Sequence, residues 1–334
     1  MINEKFYNVD LKKYENNEKV DGIFIIQKFN VLQDKNKQNY GDIVLANKNG
    51  SYVARMWKIP DIAIEEFKNN EVMLISGTVS EYMNVKQITI LKTKVPADDS
   101  YDPSLLVPSS KNDPDEMLSF IENTINEIPE DNNKLKQLKL IANRTLNRNK
   151  YIFKFIGGAK TNHHNYRNGL LEHSYNVLRN CMNDVEIYGD KNINKYLLYC
   201  GAILHDIGKT REYKFNSFGI VTDYTREGIL IGHISIGAGE IEIAAEELKK
   251  EGIEIDRDVI TDLKHLILAH HGKLEYGSPK IQMLKEAEIL FRADCRDAFM
   301  EMFDNVISAS GDAEFSERQY ALEGRQITSN VFDK

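Results

Sequence analysis

A proline-rich stretch divides this chain of 334 residues into two parts with different sequence patterns. Four of the seven prolines, Pro96, Pro103, Pro108 and Pro114, lie within it, and serine and aspartate are frequent between them. Proline fixes φ and removes a backbone donor, so such a stretch interrupts both helices and sheets. We therefore predict an interdomain linker over 96–114; a long surface loop inside one domain is the alternative.

The residues before the linker show the pattern of a small β-barrel. Runs rich in β-branched and aromatic residues are separated by turn signals, and a short amphipathic helix is predicted before the fourth run. Five strands with one helix in this place fit an OB-fold over 1–95. The expected strands are 20–31, 40–45, 51–58, 72–79 and 85–93, and the expected helix is 62–69.

The residues after the linker are helical. Apolar residues recur with a 3.6-residue period over 133–147, 168–183, 192–207, 233–251, 256–271 and 283–309. We predict an all-α domain over 115–310. The polar residues 311–334 are expected to form a weakly ordered tail.

The composition is typical of a soluble cytoplasmic protein. Hydrophobic residues make up 42% of the chain, and no apolar run approaches the roughly 18 residues of a transmembrane helix, so no membrane association is expected. The polar N-terminus argues against a signal peptide, and three cysteines without CxxC argue for reduced thiols. The net charge of −8 does not exclude a polyanion in a locally basic groove.

All eight histidines lie between His163 and His271, which indicates a metal centre in the helical part. Imidazole is a common ligand of transition metals. His205 and Asp206 stand at the end of a predicted helix, where the carboxylate can bridge two cations about 3.5–4 Å apart. Lys209 follows and is predicted to hold a phosphate oxygen.

Four further residues of ligand type lie at helix ends or on apolar helical faces: His173, His233, His270 and Asp294. Alone, a histidine such as His173 on a buried stripe is more often a satisfied core residue. The presence of His233, His270 and Asp294 favours a metal site instead, because a carboxylate such as Asp294 on an apolar face needs a partner or a cation.

The order of these residues resembles the HD superfamily of metal-dependent phosphohydrolases, and the extra His233 and His270 resemble its two-metal branch. Three segments further resemble the YhaM-type 3′–5′ exoribonucleases: 163–173, 201–209 (GAILHDIGK) and 268–272 (LAHHG). That family carries an OB-fold before the HD domain, and 42–46 and 54–57 look like its strands. The resemblance implies an N-terminal five-stranded OB-fold β-barrel followed by an all-α HD-domain helical bundle.

The resemblance also implies two divalent metal ions, with manganese favoured and iron, cobalt, zinc and magnesium as alternatives. The first ion is expected to bind His173, His205, Asp206 and Asp294, and the second Asp206, His233 and His270. We favour His270 over its neighbour because adjacent helical residues point about 100° apart; His271 as a second ligand is the alternative. The segment after it lacks a Gly-Tyr-Pro signature, so cyclic-di-GMP hydrolysis is not expected.

The remaining histidines have other expected roles. His163 and His164 are predicted to contact the phosphate, as catalytic residues together with Asp206 and Lys209; plain loop histidines are the alternative. His265 has no counterpart in the family pattern and is expected to be structural.

The barrel is expected to bind single-stranded nucleic acid by stacking and positive charge. Arg55 and Trp57 are two residues apart and therefore share a strand face. The candidate contacts are Arg55, Trp57, Tyr52, Tyr82, Lys28 and Lys86. For the sole tryptophan, packing in the barrel core is the alternative.

The expected function is that of a metal-dependent phosphodiesterase. It would trim single-stranded RNA, and single-stranded DNA as a second substrate, from the 3′ end to nucleoside monophosphates. One alternative is an HD phosphohydrolase acting on free nucleotides, and another is a nucleic-acid-binding protein without catalysis. Association into a homo-oligomer is compatible with the sequence.

Overall fold

The computed structural model describes residues 2–83, 85–97, 99–160, 164–189, 192–311 and 313–329. The chain divides into two compact units, Met1–Ser109 and Ser110–Lys334. The division lies inside the predicted linker, and the stretch before it is folded, since Pro103–Leu105 form a 3-10 helix and Leu106 and Val107 are buried. None of the described helices is long and apolar enough to cross a membrane.

The first unit contains a closed barrel built from five of the described strands. These are β1 (Lys19–Gln33), β2 (Asn39–Asn47), β3 (Gly50–Trp57), β4 (Val72–Tyr82) and β5 (Val85–Lys94). Their order is β1-β2-β3-β5-β4; β3 runs parallel to β5, and the other pairs are antiparallel. Helix α1 (Asp61–Asn69) precedes β4. This architecture confirms the predicted OB-fold.

The alternation of side chains along β3 separates the barrel core from its outer surface. Tyr52, Ala54 and Met56 are buried, whereas Arg55 is half-buried and Trp57 is exposed. Successive residues of a strand point to opposite faces of the sheet. Arg55 and Trp57 therefore share the outer face, and Tyr52 lies on the inner one.

The second unit is helical, as predicted. Its helices are α2 (Pro114–Asn126), α3 (Asn133–Phe155), α4 (Gly169–Tyr188), α5 (Lys195–Leu204), α6 (Lys209–Glu212), α7 (Arg226–Ile231), α8 (His233–Lys250), α9 (Arg257–Ala269) and α10 (Lys285–Ser310). Helix α3 extends beyond its predicted end. A hairpin of β6 (Tyr213–Phe215) and β7 (Val221–Tyr224) adds to the helices, and its strands are too short to produce a sequence period.

One glycine lets two helices of this unit approach closely. A Cβ atom on Gly201 of α5 would lie 2.3 Å from Leu266 Cδ2 of α9, so no larger residue fits there without displacement. Gly201 and Leu266 each stand four residues before a histidine. The contact therefore brings the ends of both helices together, and the ring centroids of His205 and His270 are 5.0 Å apart.

The described C-terminal residues 313–329 are folded, whereas a weakly ordered tail was expected over 311–334. Helix α10 ends at Ser310, and a 3-10 helix at Tyr320–Leu322 follows. Leu322 and Ile327 are buried. Two apolar anchors in a polar stretch hold the segment, and isolated anchors leave no periodic signal in the sequence.

Candidate metal centre

Seven residues of ligand type converge from five helices of the second unit. They are His173 (α4), His205 and Asp206 (after α5), His233 (start of α8), His270 and His271 (after α9) and Asp294 (α10). Their side chains form two groups that share Asp206. The first ligand group is His173, His205, Asp206 and Asp294; the second ligand group is Asp206, His233, His270 and His271.

The donor atoms of the first ligand group surround one point. His173 Nε2 lies 3.1 Å from His205 Nε2, 3.2 Å from Asp294 Oδ1 and 3.4 Å from Asp206 Oδ2. Nitrogen and oxygen ligands about 2.1 Å from one cation are separated by roughly 3–3.5 Å. The four side chains therefore fit a single cation.

The second ligand group contains unpaired buried atoms. His233 Nε2 is 3.5 Å and His270 Nε2 is 3.7 Å from Asp206 Oδ1. Among the described residues, these three atoms are buried and have no hydrogen-bond partner. One unpaired buried polar atom costs about 1–3 kcal/mol, so three that face one another fit a second cation.

His271 joins the second ligand group beside His270. All the candidate ligand atoms of that group lie within 4.8 Å of one another, and the two neighbouring rings have centroids 4.3 Å apart. The expectation that only one of the pair faces the site rested on helical geometry, but α9 ends at Ala269. Gly272 then turns the chain with a φ of +80°. Both rings therefore reach the site.

Each of the five histidines in these groups has a partner at Nδ1, which leaves Nε2 to face the site. The distances are 2.8 Å from His205 to Ala202 O, 2.6 Å from His270 to Ile267 O, 2.8 Å from His271 to Tyr276 O, 3.1 Å from His233 to Glu212 Oε1 and 2.7 Å from His173 to Asp297 Oδ2. Such partners fix the tautomer and the ring orientation of a metal ligand.

Asp297 and Glu212 are the residues that sequence reasoning missed. Asp297 follows Asp294 by three residues on the same buried face of α10, and Glu212 follows Lys209 by three residues. This spacing on a buried face was the available signal. Burial opposes ionisation of Asp297, but hydrogen bonds to His164 and His173 outweigh it and lower its pKa well below the usual range.

The structure places His164 differently from the expected phosphate contact. It is only 2% exposed, its Nε2 lies 2.7 Å from Asp297 Oδ2, and its Nδ1 lies 2.8 Å from the Tyr166 hydroxyl. That hydroxyl donates to Glu172. His164 is therefore buried against Asp297 and is not exposed as a phosphate contact would be. His163 lies outside the described residues, and His265 accepts a hydrogen bond from the Met283 backbone.

The charges of the site suit cations and phosphate. Lys209 Nζ is 2.7 Å from Asp206 Oδ2; burial lowers the pKa of Lys209, but the attraction of Asp206 outweighs it and the net shift is upward, so the ammonium stays charged. Burial lowers the pKa of His205 and, further, that of His270, which keeps both imidazoles neutral and ready to bind a metal. For His173 burial is outweighed by the carboxylates of Asp294 and Asp297, which raise its pKa to about 10.

A cavity of about 860 Å³ opens onto both ligand groups and is lined by Asp206 and Asp294. This volume is within the range of small-molecule sites. Its other walls include the aromatic Tyr213, Tyr224 and Phe291 and the basic Lys160, Lys273 and Arg292. Aromatic rings suit a base and cations suit a phosphate, so the lining matches a nucleotide.

The outer face of the barrel carries three of the expected nucleic-acid contacts. Trp57 is 49% exposed and Tyr82 is 54% exposed, so the tryptophan does not pack in the core. The Arg55 guanidinium lies 6.0 Å from the Trp57 ring centroid and 5.8 Å from that of Tyr82. Lys28 is also exposed, on β1.

Two other expected contacts are placed elsewhere. The Tyr52 ring packs inside the barrel and its hydroxyl donates to the Val9 carbonyl at 3.0 Å, so the expectation that it contacts nucleic acid was wrong. Lys86 Nζ donates to the carbonyls of Lys12 and Tyr14. Its ammonium is thus engaged by the backbone, and its role as a nucleic-acid contact stays a prediction.

Comparison with known proteins agrees with this geometry. Residues 170–298 match the family profile of the HD domain. A protein of Shouchella clausii named 3′–5′ exoribonuclease YhaM is 35% identical over 318 residues, covering 95% of each chain. A protein of the same name from Listeria monocytogenes is 32% identical over 324 residues, covering 97% of this chain and 99% of that one. This chain therefore belongs to the YhaM family of 3′–5′ exoribonucleases.

Proposed function

We propose that the protein shortens single-stranded RNA from its 3′ end in a metal-dependent reaction and releases nucleoside monophosphates. The observation that carries the proposal is the Asp206 carboxylate, whose two oxygens face two separate ligand groups. Two divalent ions about 3.5–4 Å apart are the arrangement that serves phosphodiester hydrolysis. The activity named for the relatives supplies the substrate and the polarity.

We assign one ion to the first ligand group and one to the second. Manganese is the proposed metal, because histidine-rich sets suit transition metals better than magnesium, which prefers oxygen ligands; iron, cobalt and zinc share this preference. When bound, the ions stabilise the phosphoryl oxygens as Lewis acids and activate the attacking water.

Residues of the chain itself orient the metal-binding histidines and offset the charge that develops during the reaction. Lys209 places a positive charge beside Asp206, where it offsets the charge that develops on the phosphate as water attacks phosphorus. The bond from phosphorus to the 3′ oxygen of the preceding nucleotide breaks, and that oxygen takes a proton. The products are a nucleoside 5′-monophosphate and an RNA one nucleotide shorter. Asp297 and Glu212 hold their histidines with Nε2 toward the site.

We propose that the outer face of the barrel holds the RNA strand. Arg55 contacts two exposed aromatic rings, Trp57 and Tyr82, and base stacking with nearby positive charge is how OB-folds bind single strands. Single-stranded DNA presents similar stacking surfaces and the same phosphates, and it is the proposed second substrate. The cysteines Cys181, Cys200 and Cys295 are free, which supports a cytoplasmic location.

The test combines manganese-supplemented protein with oligoribonucleotides labelled at the 5′ or the 3′ end. A ladder that shortens from the 3′ end, with release of labelled monophosphate, is expected. Turnover of free nucleotides without shortening of oligomers would select the free-nucleotide phosphohydrolase instead. RNA binding and cellular effect that survive in Asp206→Ala without hydrolysis would select the non-catalytic binding protein.

A further inference from the structure

The side chain of Tyr320 is 92% exposed although its backbone is held in a folded segment. It begins the 3-10 helix Tyr320–Leu322 in the C-terminal residues 313–329. An aromatic ring in water on an ordered backbone gains little from folding. Because the ring contributes little to the stability of the fold, its exposure is better explained by a ligand that covers it when bound.

The segment that carries Tyr320 is anchored on both sides of the ring. Leu322 is 1% and Ile327 4% exposed. The backbone of Gln319 donates to Arg325 O at 2.9 Å, and the Arg325 guanidinium lies 5.5 Å from the ring centroid of Phe299 on α10. These contacts fix where the tyrosine backbone stands, so the ring is presented and not left on a loose end.

Tyr320 lines the same cavity as Asp206 and Asp294. One cavity thus contains the shared carboxylate of both ligand groups, a basic wall with Lys273 and Arg292, and this exposed ring. When the phosphate of a nucleotide lies near the ligand groups, the base of the same nucleotide extends toward the other walls of the cavity. Stacking on one ring accepts every base, because each base has a π-face.

We propose that Tyr320 stacks on the base of the 3′-terminal nucleotide and that the C-terminal segment 313–329 is a wall of the substrate site. The inference rests on the proposed function, because it needs a nucleotide at the metal centre. The recognised group is a nucleobase attached to a ribose phosphate. Because the stacking acts on binding, loss of the ring raises KM and leaves kcat nearly unchanged.

The experiment compares Tyr320→Ala, Tyr320→Phe and the wild-type chain, each supplemented with manganese. Calorimetry measures the affinity for AMP and for ribose 5-phosphate, which has the same phosphate and lacks the base. The matched control is Tyr151→Ala, since Tyr151 is 77% exposed on α3 and does not line the cavity. Shortening of a labelled oligoribonucleotide is measured in parallel to give KM and kcat.

We expect AMP affinity to fall about tenfold in Tyr320→Ala and to be retained in Tyr320→Phe, with ribose 5-phosphate affinity unchanged in both. KM for RNA rises by a similar factor. Undetectable AMP binding by the wild-type chain, equal losses for both ligands, or an AMP affinity in Tyr320→Ala within twofold of wild type each overturns the inference. A wild-type chain that binds AMP but does not shorten RNA instead contradicts the proposed function.

Discussion

Asp297 Oδ2 lies 2.7 Å from His173 Nδ1, on the side of the imidazole opposite the Nε2 atom that faces the first ligand group. A second histidine, His164, approaches the same oxygen from behind at 2.7 Å. The orientation of one candidate metal ligand thus depends on a carboxylate that lies outside the first ligand group.

Replacement of this carboxylate should weaken metal binding. Asp297→Asn removes the negative charge that faces both histidines, so we expect manganese affinity at the first ligand group to fall about 10- to 100-fold. Competition with a chromophoric chelator measures it. Asp304→Asn, at an exposed position of α10, is the matched control and should match the wild type. Unchanged affinity in Asp297→Asn would show that His173 is positioned by other contacts.

Loss of the Lys209 charge should slow the chemical step. Lys209→Met removes the ammonium beside Asp206, and we expect kcat to fall about 10²- to 10³-fold while two metal ions per chain remain. Elemental analysis gives the metal content, and single-turnover cleavage of labelled RNA gives the rate. Lys214→Met, on an exposed position of β6, should retain full activity. A kcat within threefold of wild type in Lys209→Met would exclude the proposed role.

Metal binding should release a proton from His173. The pKa of this imidazole in the metal-free protein is raised to about 10, so it is protonated at pH 7.5, and a cation must displace the Nε2 proton. Calorimetric titration with manganese in buffers of different ionisation enthalpy should give about one proton per first ion bound. Affinity should rise with pH between 7 and 9. A binding heat independent of the buffer would contradict this assignment.

The buried carboxylate of Glu240 should stabilise the helical unit in a pH-dependent manner. Burial opposes its ionisation, but bonds from Asn149, Arg211 and Arg148 lower its pKa below the usual 4.5. Because this pKa is lower in the folded than in the unfolded state, ionisation of Glu240 adds to the free energy of unfolding. The contribution is complete above pH 4.5 and is lost as the pH falls through the pKa of the folded state.

For Glu240→Gln we expect a loss of about 2 kcal/mol in the free energy of unfolding at pH 7.5. The loss should shrink below pH 4.5. Urea unfolding at several pH values measures it, and Glu246→Gln, exposed on the same helix, should change little. A loss that is equal at pH 7.5 and pH 4 would disprove the electrostatic origin.

Removal of the barrel's exposed tryptophan should weaken RNA binding but not catalysis on short substrates. For Trp57→Ala we expect the affinity for a 12-nucleotide RNA to fall about 5- to 100-fold, as for one or two lost base stacks. Fluorescence anisotropy measures this, and hydrolysis of a dinucleotide should be unchanged. Ile62→Ala, at an exposed position of α1, is the control. Equal RNA affinity of Trp57→Ala and the wild type would show that the outer face of the barrel does not bind the RNA strand.

The sequence was sufficient to predict the two-part fold because each part has its own period. Strand runs with turn signals identified the barrel, and the 3.6-residue pattern identified the long helices. Residues such as His233 and Asp294 were predictable as ligand candidates because they stand at a helix start or on an apolar face, where a polar group requires a reason.

Other placements depended on geometry that local patterns do not encode. Tyr52 was misassigned because it alternates with Arg55 and Trp57 along β3 and therefore points into the barrel. The alternation in the sequence does not by itself say which face of a strand is the core. His164 adopts a φ of 52°, and this left-handed turn directs it toward Asp297 instead of the cavity. The helical rule that favoured His270 over His271 does not apply, because α9 ends at Ala269 and both residues lie beyond it.

The contact between Gly201 and Leu266 has a consequence for the distance between the two ligand groups. The two residues stand one turn ahead of His205 and His270, and their packing sets how far apart the two helix ends lie. The distance between His205 and His270 thus depends on a hydrophobic contact that includes neither histidine. Variation at position 266 would therefore change the spacing between the two ligand groups while every ligand is kept, an effect that a survey confined to the ligands would overlook.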